Sequence, residues 1–353
     1  DKFSKEKGLP GIAALVYTPQ NGVWMGASGY SQVEGNVAMQ PCNLFMSASV
    51  AKMYHAVLTL KMQEKGLLSI NDKIDQYLPS DVCDRLPNGH TATIKQLLNH
   101  SSGIPNPTGS IGFLTNYIND FKKAIDPKTY VGYIYGAKPL GEPGQVFNYS
   151  DGNYILLAMV LDKIYGDHAR AMSDFIIKPL GLSHTFYRNE LGYKNRSNLV
   201  NSYADLYNEK ILRNVSAEER VFNESNIGHD GFKFTVHDGF LFLKKLFIEK
   251  TILSQQSLDQ MLNNDAELVS FTPNERALLG AFLLKDDPNT LSISHEGQTI
   301  GSADYFGFYP MHNEIIIVCS NFGGAVSPLL YDAMFNRGGK EDCLLQSMEK
   351  AVF

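Results

Sequence analysis

Apolar residues follow one spacing at the two ends of the chain and another in its middle. Residues 11–18 (Gly-Ile-Ala-Ala-Leu-Val-Tyr-Thr) are nearly all apolar, as expected of a strand covered on both faces. With residues 22–30 they read as paired strands around Pro19-Gln20-Asn21-Gly22. Ahead of them, a short charged segment to about Gly8 is expected to be helical. From Ser49 to about Leu262 the spacing is helical. Val50, Met53, Tyr54, Val57, Leu58 and Leu60 recur on one face up to a stop at Gly66, the pattern of an amphipathic helix. Further helices are expected near 93–99, 116–124, 153–165, 172–177, 232–247 and 255–262. Turns at Ile104-Pro105-Asn106-Pro107, Gly141-Glu142-Pro143-Gly144 and Pro179-Leu180-Gly181 punctuate them. Strand patterns return at 277–284, 291–295, 303–309 and 314–320, and helices near 329–335 and 341–352 close the chain.

This order predicts an α/β fold: one antiparallel sheet built from both termini and flanked by helices, with a mostly helical second region. The expected division is 1–48 plus 265–353 for the sheet region and 49–264 for the helical one. Together they would form a single catalytic unit with its site between them. The 353 residues suffice for two such lobes.

Composition narrows the function. With 44% hydrophobic and 19% charged residues the chain is an ordinary globular protein. A net charge of −6 leaves no basic footprint for nucleic acid or an anionic membrane. No apolar run approaches a membrane span, and the opening Asp1-Lys2-Phe3-Ser4 shows no signal peptide. Cys42, Cys83, Cys319 and Cys343 form no CxxC pair, though one bridge not involving the core residue Cys319 stays open. The nine histidines include no HExxH or tight cluster, so neither a metal nor another cofactor is expected. Sequons at Asn99, Asn148, Asn195, Asn214 and Asn223 read as chance, because two fall inside the candidate site.

The chemistry begins at Ser49 and Lys52, three apart at a helix start. That spacing puts hydroxyl and amine on one face of the first turn, where free N–H groups favour a developing oxyanion. A serine hydroxyl needs a neighbouring base, and a desolvated lysine can serve. Ser-x-x-Lys alone is weak evidence: it also occurs at Ser4/Lys7 and Ser347/Lys350. Two later segments join it. Pro143-Gly144-Gln145-Val146-Phe147-Asn148-Tyr149-Ser150-Asp151 leads into a helix, and His295-Glu296-Gly297 ends a strand.

Ser49-x-x-Lys52, Tyr149 and His295-x-Gly297 in this order resemble the serine β-lactamase-like superfamily of class C β-lactamases, DD-peptidases, D-aminopeptidases and esterases. Connecting stretches such as Leu97-Leu98-Asn99-His100-Ser101-Ser102-Gly103-Ile104, Pro179-Leu180-Gly181-Leu182 and Asp230-Gly231-Phe232-Lys233-Phe234-Thr235 carry the resemblance along nearly the whole chain. It implies acyl transfer from Ser49, with Lys52 and Tyr149 as a proton network in which either could be the base. His295 joins them as a catalytic residue, and the backbone N–H groups of Ser49 and Gln298 would form the oxyanion hole. Asp151, Glu296 and Gly297 fall at substrate-binding positions. The rival Tyr117-Ile118-Asn119 lacks the Pro-Gly lead-in, and His229 and His237 do not end a C-terminal strand.

Two residues depart from the family pattern. Asp151 stands where Asn is usual and Glu296 where Thr, Ser or Gly is usual, so antibiotic hydrolysis is less assured than serine-hydrolase chemistry. Asp151 could accept from a substrate ammonium, or its side chain could instead turn away and cap the helix it enters. The expected activity is a serine hydrolase working through an acyl-enzyme on amide or ester bonds, on a D-amino-acid-containing peptide or a β-lactam-like small molecule. The alternatives are a small-molecule carboxylesterase and a catalytically silent binding protein. A periplasmic or secreted location is implied by resemblance alone.

Overall fold

The computed structural model describes residues 8–120, 122–188, 196–225, 227–263, 268–285, 290–324 and 343–352. β1 (Gly11–Thr18) pairs with β2 (Gly22–Gln32), which carries the short β3 (Val37–Ala38). After β4 (Phe45–Met46) the chain enters α1 (Ala51–Glu64). The middle of the chain supplies α2 (Ile94–Leu98), α3 (Asp151–Tyr165), β5 (Phe186–Tyr187), β6 (Tyr203–Ala204), β7 (Arg213–Asn214) and β8 (Phe232–Phe234). α4 (Val236–Leu243) precedes β9 (Glu275–Ala277), β10 (Phe282–Leu284), β11 (Ser292–Gln298), β12 (Ala303–Tyr309) and β13 (Glu314–Ser320). The last described element is α5 (Leu344–Val352).

Eight strands form one antiparallel sheet in the order β3-β2-β1-β13-β12-β11-β10-β9. The pairing of β1 with β13 joins the two ends of the chain. β12 and β13 are buried at every position, which explains their nearly unbroken apolar sequences. Against one face lies α4, where Gly239 allows close approach: a Cβ there would sit 2.6 Å from the Phe306 ring. On the other face, Leu345 of α5 packs with Tyr305, Tyr309, Ile316 and Val318. The helical region gathers around α1. Eleven of its fourteen residues are buried, so the helix is enclosed nearly all round, more fully than the one apolar face its spacing predicts. Tyr54 of α1 stacks on Phe242 of α4 at 3.8 Å between ring centroids, tying helices to sheet.

Several element boundaries differ from expectation for identifiable reasons. Residues 232–247 are not one helix. Phe232–Phe234 is a strand between β4 and β5, and helix begins only after Thr235, whose side chain accepts from the Asp238 N–H (3.2 Å). The stretch 277–284 is split by a turn in which Gly280 takes φ +74° and Leu278 N–H donates to Ala281 C=O (2.9 Å). The helix expected over 116–124 lies at Ile111–Asn119 because Ser110 caps it, accepting from Phe113 N–H (3.1 Å). Residues 173–177 continue His168–Met172 as a π-helical turn. The expected segment before Gly8 and the helix near 329–335 lie outside the described residues, as does the start of the one expected over 341–352. No disulfide joins the four cysteines.

Candidate active site

Ser49 sits on the turn that feeds α1, two residues before its first regular position, and Lys52 N–H donates to Ser49 C=O (3.0 Å). The turn is held from two sides by buried carboxyl groups. Ser47 Oγ donates to Asp230 Oδ1 (2.8 Å), and Ala48 N–H donates to Asp304 Oδ2 (2.7 Å). The Ser49 N–H finds no acceptor among the described residues.

Lys52 lies one turn on with no side-chain exposure, and its Nζ donates to Ser49 Oγ and to Asp151 Oδ1, each at 2.9 Å. Burial works against the ammonium, but attraction to Asp151 and Tyr149 outweighs it and raises the Lys52 pKa above its ordinary value. Burial likewise disfavours the Asp151 carboxylate, and Lys52 more than compensates, holding its pKa well below the carboxylate range. Ser150, not Asp151, is the N-cap residue of α3, and it makes no side-chain capping bond. The capping role considered for Asp151 is therefore excluded: its carboxylate faces Lys52 and accepts from Thr108 Oγ1 (3.2 Å).

Tyr149 stands beside this pair, its ring centroid 4.9 Å from Lys52 Nζ. Burial raises the pKa of its hydroxyl, while Lys52 and a hydrogen bond to Ser49 oppose the rise. His100 fixes the ring. Its own ring lies 4.3 Å from that of Tyr149, and its Nδ1 accepts from Ser150 N–H (3.2 Å). Burial and the nearby Lys52 push the His100 pKa well down, so it is a neutral support. Sequence reading flagged the segment around His100 but gave it no role. A histidine followed by Ser-Ser-Gly was the available signal, and in the structure His100 takes φ +59°.

The far wall is β11. Thr299 N–H donates to Ser302 C=O across the β11–β12 turn (2.9 Å), so ladder alternation turns the Gln298 N–H away from β12. Gly297 lets the strand reach Ser49: a Cβ there would lie 2.3 Å from Ser49 N and 2.3 Å from Asp304 Oδ1. His295 is buried on the same face, 6.3 Å from Tyr149 between ring centroids. Its Nδ1 donates to Glu296 C=O (2.7 Å), its Nε2 has no partner among the described residues, and burial lowers its pKa to about 3. It is neutral and supplies no positive charge. The pleat sends the exposed Glu296 side chain to the opposite face, so of the two expected carboxylates only Asp151 meets Lys52.

The rival residues are accounted for elsewhere. Tyr117 stacks on Phe113 at 5.4 Å, and His237 is an exposed residue of α4. Phe271 was not anticipated. It is 61% exposed and packs on Phe147 (5.1 Å), Tyr149 (5.6 Å) and Phe282 (5.5 Å), making an aromatic rim beside the site. Among the described residues only Asp162, Asp167 and His168 cluster like metal ligands, and both His168 nitrogens are engaged, by Asp162 (2.7 Å) and by Tyr187 (2.9 Å). No helix among the described residues is long and apolar enough to cross a membrane.

Known proteins share this architecture. The chain superposes on a D-stereospecific amidohydrolase from Streptomyces sp. with TM-score 0.79 and 22% identity, covering 94% of this chain and 95% of that one. For a D-amino acid amidase from Ochrobactrum anthropi SV3, solved with L-phenylalanine amide, the values are 0.76, 21%, 94% and 91%. In sequence it is 32% identical over 190 residues to the putative penicillin-binding protein PbpX of Bacillus subtilis (strain 168), covering 53% of this chain and 44% of that protein. It is 28% identical over 200 residues to Protein flp of Staphylococcus aureus (strain MW2), covering 55% and 38%. The match thus spans less than half of either curated relative. The family model described as Beta-lactamase matches residues 1–337. The chain belongs to the Beta-lactamase family, whose members are typically serine hydrolases.

Proposed function

We propose that the protein hydrolyses amide or ester bonds through an acyl-enzyme on Ser49, and that its preferred substrates are small D-amino-acid amides or short peptides with an unblocked amine. The observation that carries this reading is the Lys52 ammonium bridging Ser49 Oγ and Asp151 Oδ1, 2.9 Å from each. Once the Lys52–Tyr149 network has released one proton to solvent, Ser49 Oγ attacks the carbonyl carbon and its own proton takes the vacated place in that network. The same network returns a proton to the leaving nitrogen as the C–N bond breaks, and water then releases the acid. The N–H groups of Ser49 and Gln298 receive the oxyanion.

Asp151 supports the substrate class. Where an amide side chain would donate, an ionised carboxylate only accepts, so an acylamino carbonyl meets a like-signed oxygen. A substrate ammonium instead gains a partner. By sharing Asp151 it also weakens the hold on Lys52, which favours loss of the lysine proton. The rim of Phe147, Phe271 and Phe282 suits an apolar side chain on the same substrate. The amidase and amidohydrolase neighbours agree with this class by fold. An exported setting goes with the reading by resemblance only.

The carboxylesterase alternative draws on the exposed rim, which also suits simple aryl esters. The test is fluorophosphonate treatment followed by intact mass and peptide mapping, then rates on D-phenylalanine amide, its N-acetyl derivative and p-nitrophenyl acetate. A Ser49 adduct with preference for the unblocked amide is expected. An adduct with turnover of esters alone favours the carboxylesterase, and no adduct on Ser49 overturns the reading.

A further inference from the structure

One buried acid beside the nucleophile has no part in the proton network. Asp304 lies on β12 directly across from Gly297, with 1% of its surface exposed. Its Oδ2 accepts from the Ala48 N–H at 2.7 Å. Its Oδ1 has no hydrogen-bond partner among the described residues and occupies the space a Cβ on Gly297 would take, as does Ser49 N. The carboxyl is therefore lodged between the Gly297 backbone and the Ala48 N–H, one peptide unit before the N–H expected to bind the oxyanion.

We propose that Asp304 is a positioning residue for acyl transfer, holding the Ser47–Ala48 peptide, and through Ala48 the next peptide unit, so that the Ser49 N–H points at the oxyanion, and that it performs this as an uncharged acid. This rests on the serine acyl-transfer reading of the site. A charged Asp304 would have a single hydrogen-bond donor for its four lone-pair sites, which the interior tolerates poorly. It would also place a negative charge behind the group that must receive another. Neutral, it accepts from Ala48 and leaves the Ser49 N–H to the substrate.

The groups facing Asp304 agree. Burial raises its pKa to about 8, opposed by the Ala48 N–H and by Lys52, and reinforced by Asp230 and by Glu296 of β11. Asp230, raised by burial to about 7, ionises first and so pushes Asp304 further the same way. From α1 and β13, Tyr54 and Cys319 also face it, and burial keeps both neutral over this range. The folded-state pKa is raised, so Asp304 is uncharged below about 8 and charged above it. Reactivity of Ser49 should fall as pH rises through that value, by tenfold or more.

The experiment is the second-order rate of fluorophosphonate labelling at Ser49, measured from pH 6 to 10 for wild type, Asp304→Asn, Asp304→Ala and Glu219→Gln. Asparagine keeps the acceptor for Ala48 and cannot ionise. Glu219, a second buried acid raised to about 8, accepts from Thr299 Oγ1 (2.6 Å) and Gly301 N–H (3.0 Å), and is the competing owner of any alkaline limb. The expected result is a limb near pH 8 in wild type and Glu219→Gln that is absent in Asp304→Asn. Asp304→Ala should lose at least a hundredfold at pH 7, with asparagine restoring most of it. A limb that persists in Asp304→Asn, or that vanishes in Glu219→Gln, overturns the inference, as does a flat wild-type profile with Ser49 still labelled. If wild-type Ser49 is not labelled at any pH, the acyl-transfer reading itself fails and takes the inference with it. Should Asp304→Ala not fold, the profile of Asp304→Asn decides alone.

Discussion

Lys52 and Asp151 stand 2.9 Å apart, the lysine wholly enclosed and the carboxylate 16% exposed at its side chain. On the proposed function, the pair makes Asp151 both the anchor of the Lys52 ammonium and the carboxylate that meets a substrate amine. Asp151→Asn is expected to raise kcat/KM on N-acyl amides and penicillins relative to unblocked D-amino-acid amides, by roughly 5- to 150-fold, the range for correcting one mismatched polar contact. Ratios measured across the three substrate types check it. A shift toward the unblocked amide would refute the donor–acceptor argument.

The same pair sets a pH window for stability. The folded pKa of Asp151 is lowered, so its contribution is present above its unfolded value of about 4 and is lost as pH falls from there toward the folded value. The Lys52 pKa is raised, so its contribution is present below about 10.4 and is lost only as pH climbs past that toward its folded value. Thermal unfolding followed from pH 3 to 7 should show wild-type Tm dropping below about pH 4. Asp151→Asn should start lower and vary less over that interval.

Gly297→Ala tests how closely β11 must approach the nucleophile. The added methyl would lie 2.3 Å from Ser49 N, a backbone atom that cannot swing aside. Losing alignment of one oxyanion donor costs about 10²–10³-fold in kcat. Circular dichroism should remain native-like while kcat falls by that amount. Activity within tenfold of wild type would mean that β11 does not line the hole.

Lys52→Ala and Tyr149→Phe should each reduce turnover by about 10²–10⁴-fold, the usual contribution of an acid–base group. Tyr117→Phe and His237→Ala, the rival motif positions, should leave turnover near wild type. A damaging Tyr117→Phe would reassign the second motif.

Phe271→Ala removes the exposed member of the aromatic rim. Stability should change by about 0.5 kcal/mol or less, as for most surface substitutions. KM for D-phenylalanine amide should rise severalfold while D-alanine amide is unaffected. Equal effects on both substrates would remove the rim from the substrate site.

Much of this architecture was legible in the chain because the signals were local. Largely apolar runs marked β1, β12 and β13, and the helix after Asp151 was visible from spacing alone. Phe232-Lys233-Phe234 was misread because aromatic residues next to a helical run fit either period. Only the pairing with Phe45 and Phe186, distant in sequence, makes them a strand. Asp304 left one faint trace, an acid inside an apolar strand, and its meaning depends on Ala48, 256 positions away. Asp151 was ambiguous for the same reason: whether it caps a helix or meets Lys52 is decided by a contact across 99 positions.

The pairing of β1 with β13 has a consequence for how the molecule is made. Ser320 Oγ donates to Gly11 C=O across 309 positions, so the sheet cannot close until residue 320 has been synthesised. Before that point β1 lacks its partner β13, and Ser49 lacks β11 opposite it. On the proposed function, Ser49 would then be made early and completed as a site late. Any truncation that removes β11 to β13 should yield a chain bearing every Ser-x-x-Lys atom and no activity, and one exposing a sticky strand edge for other nascent chains to pair with.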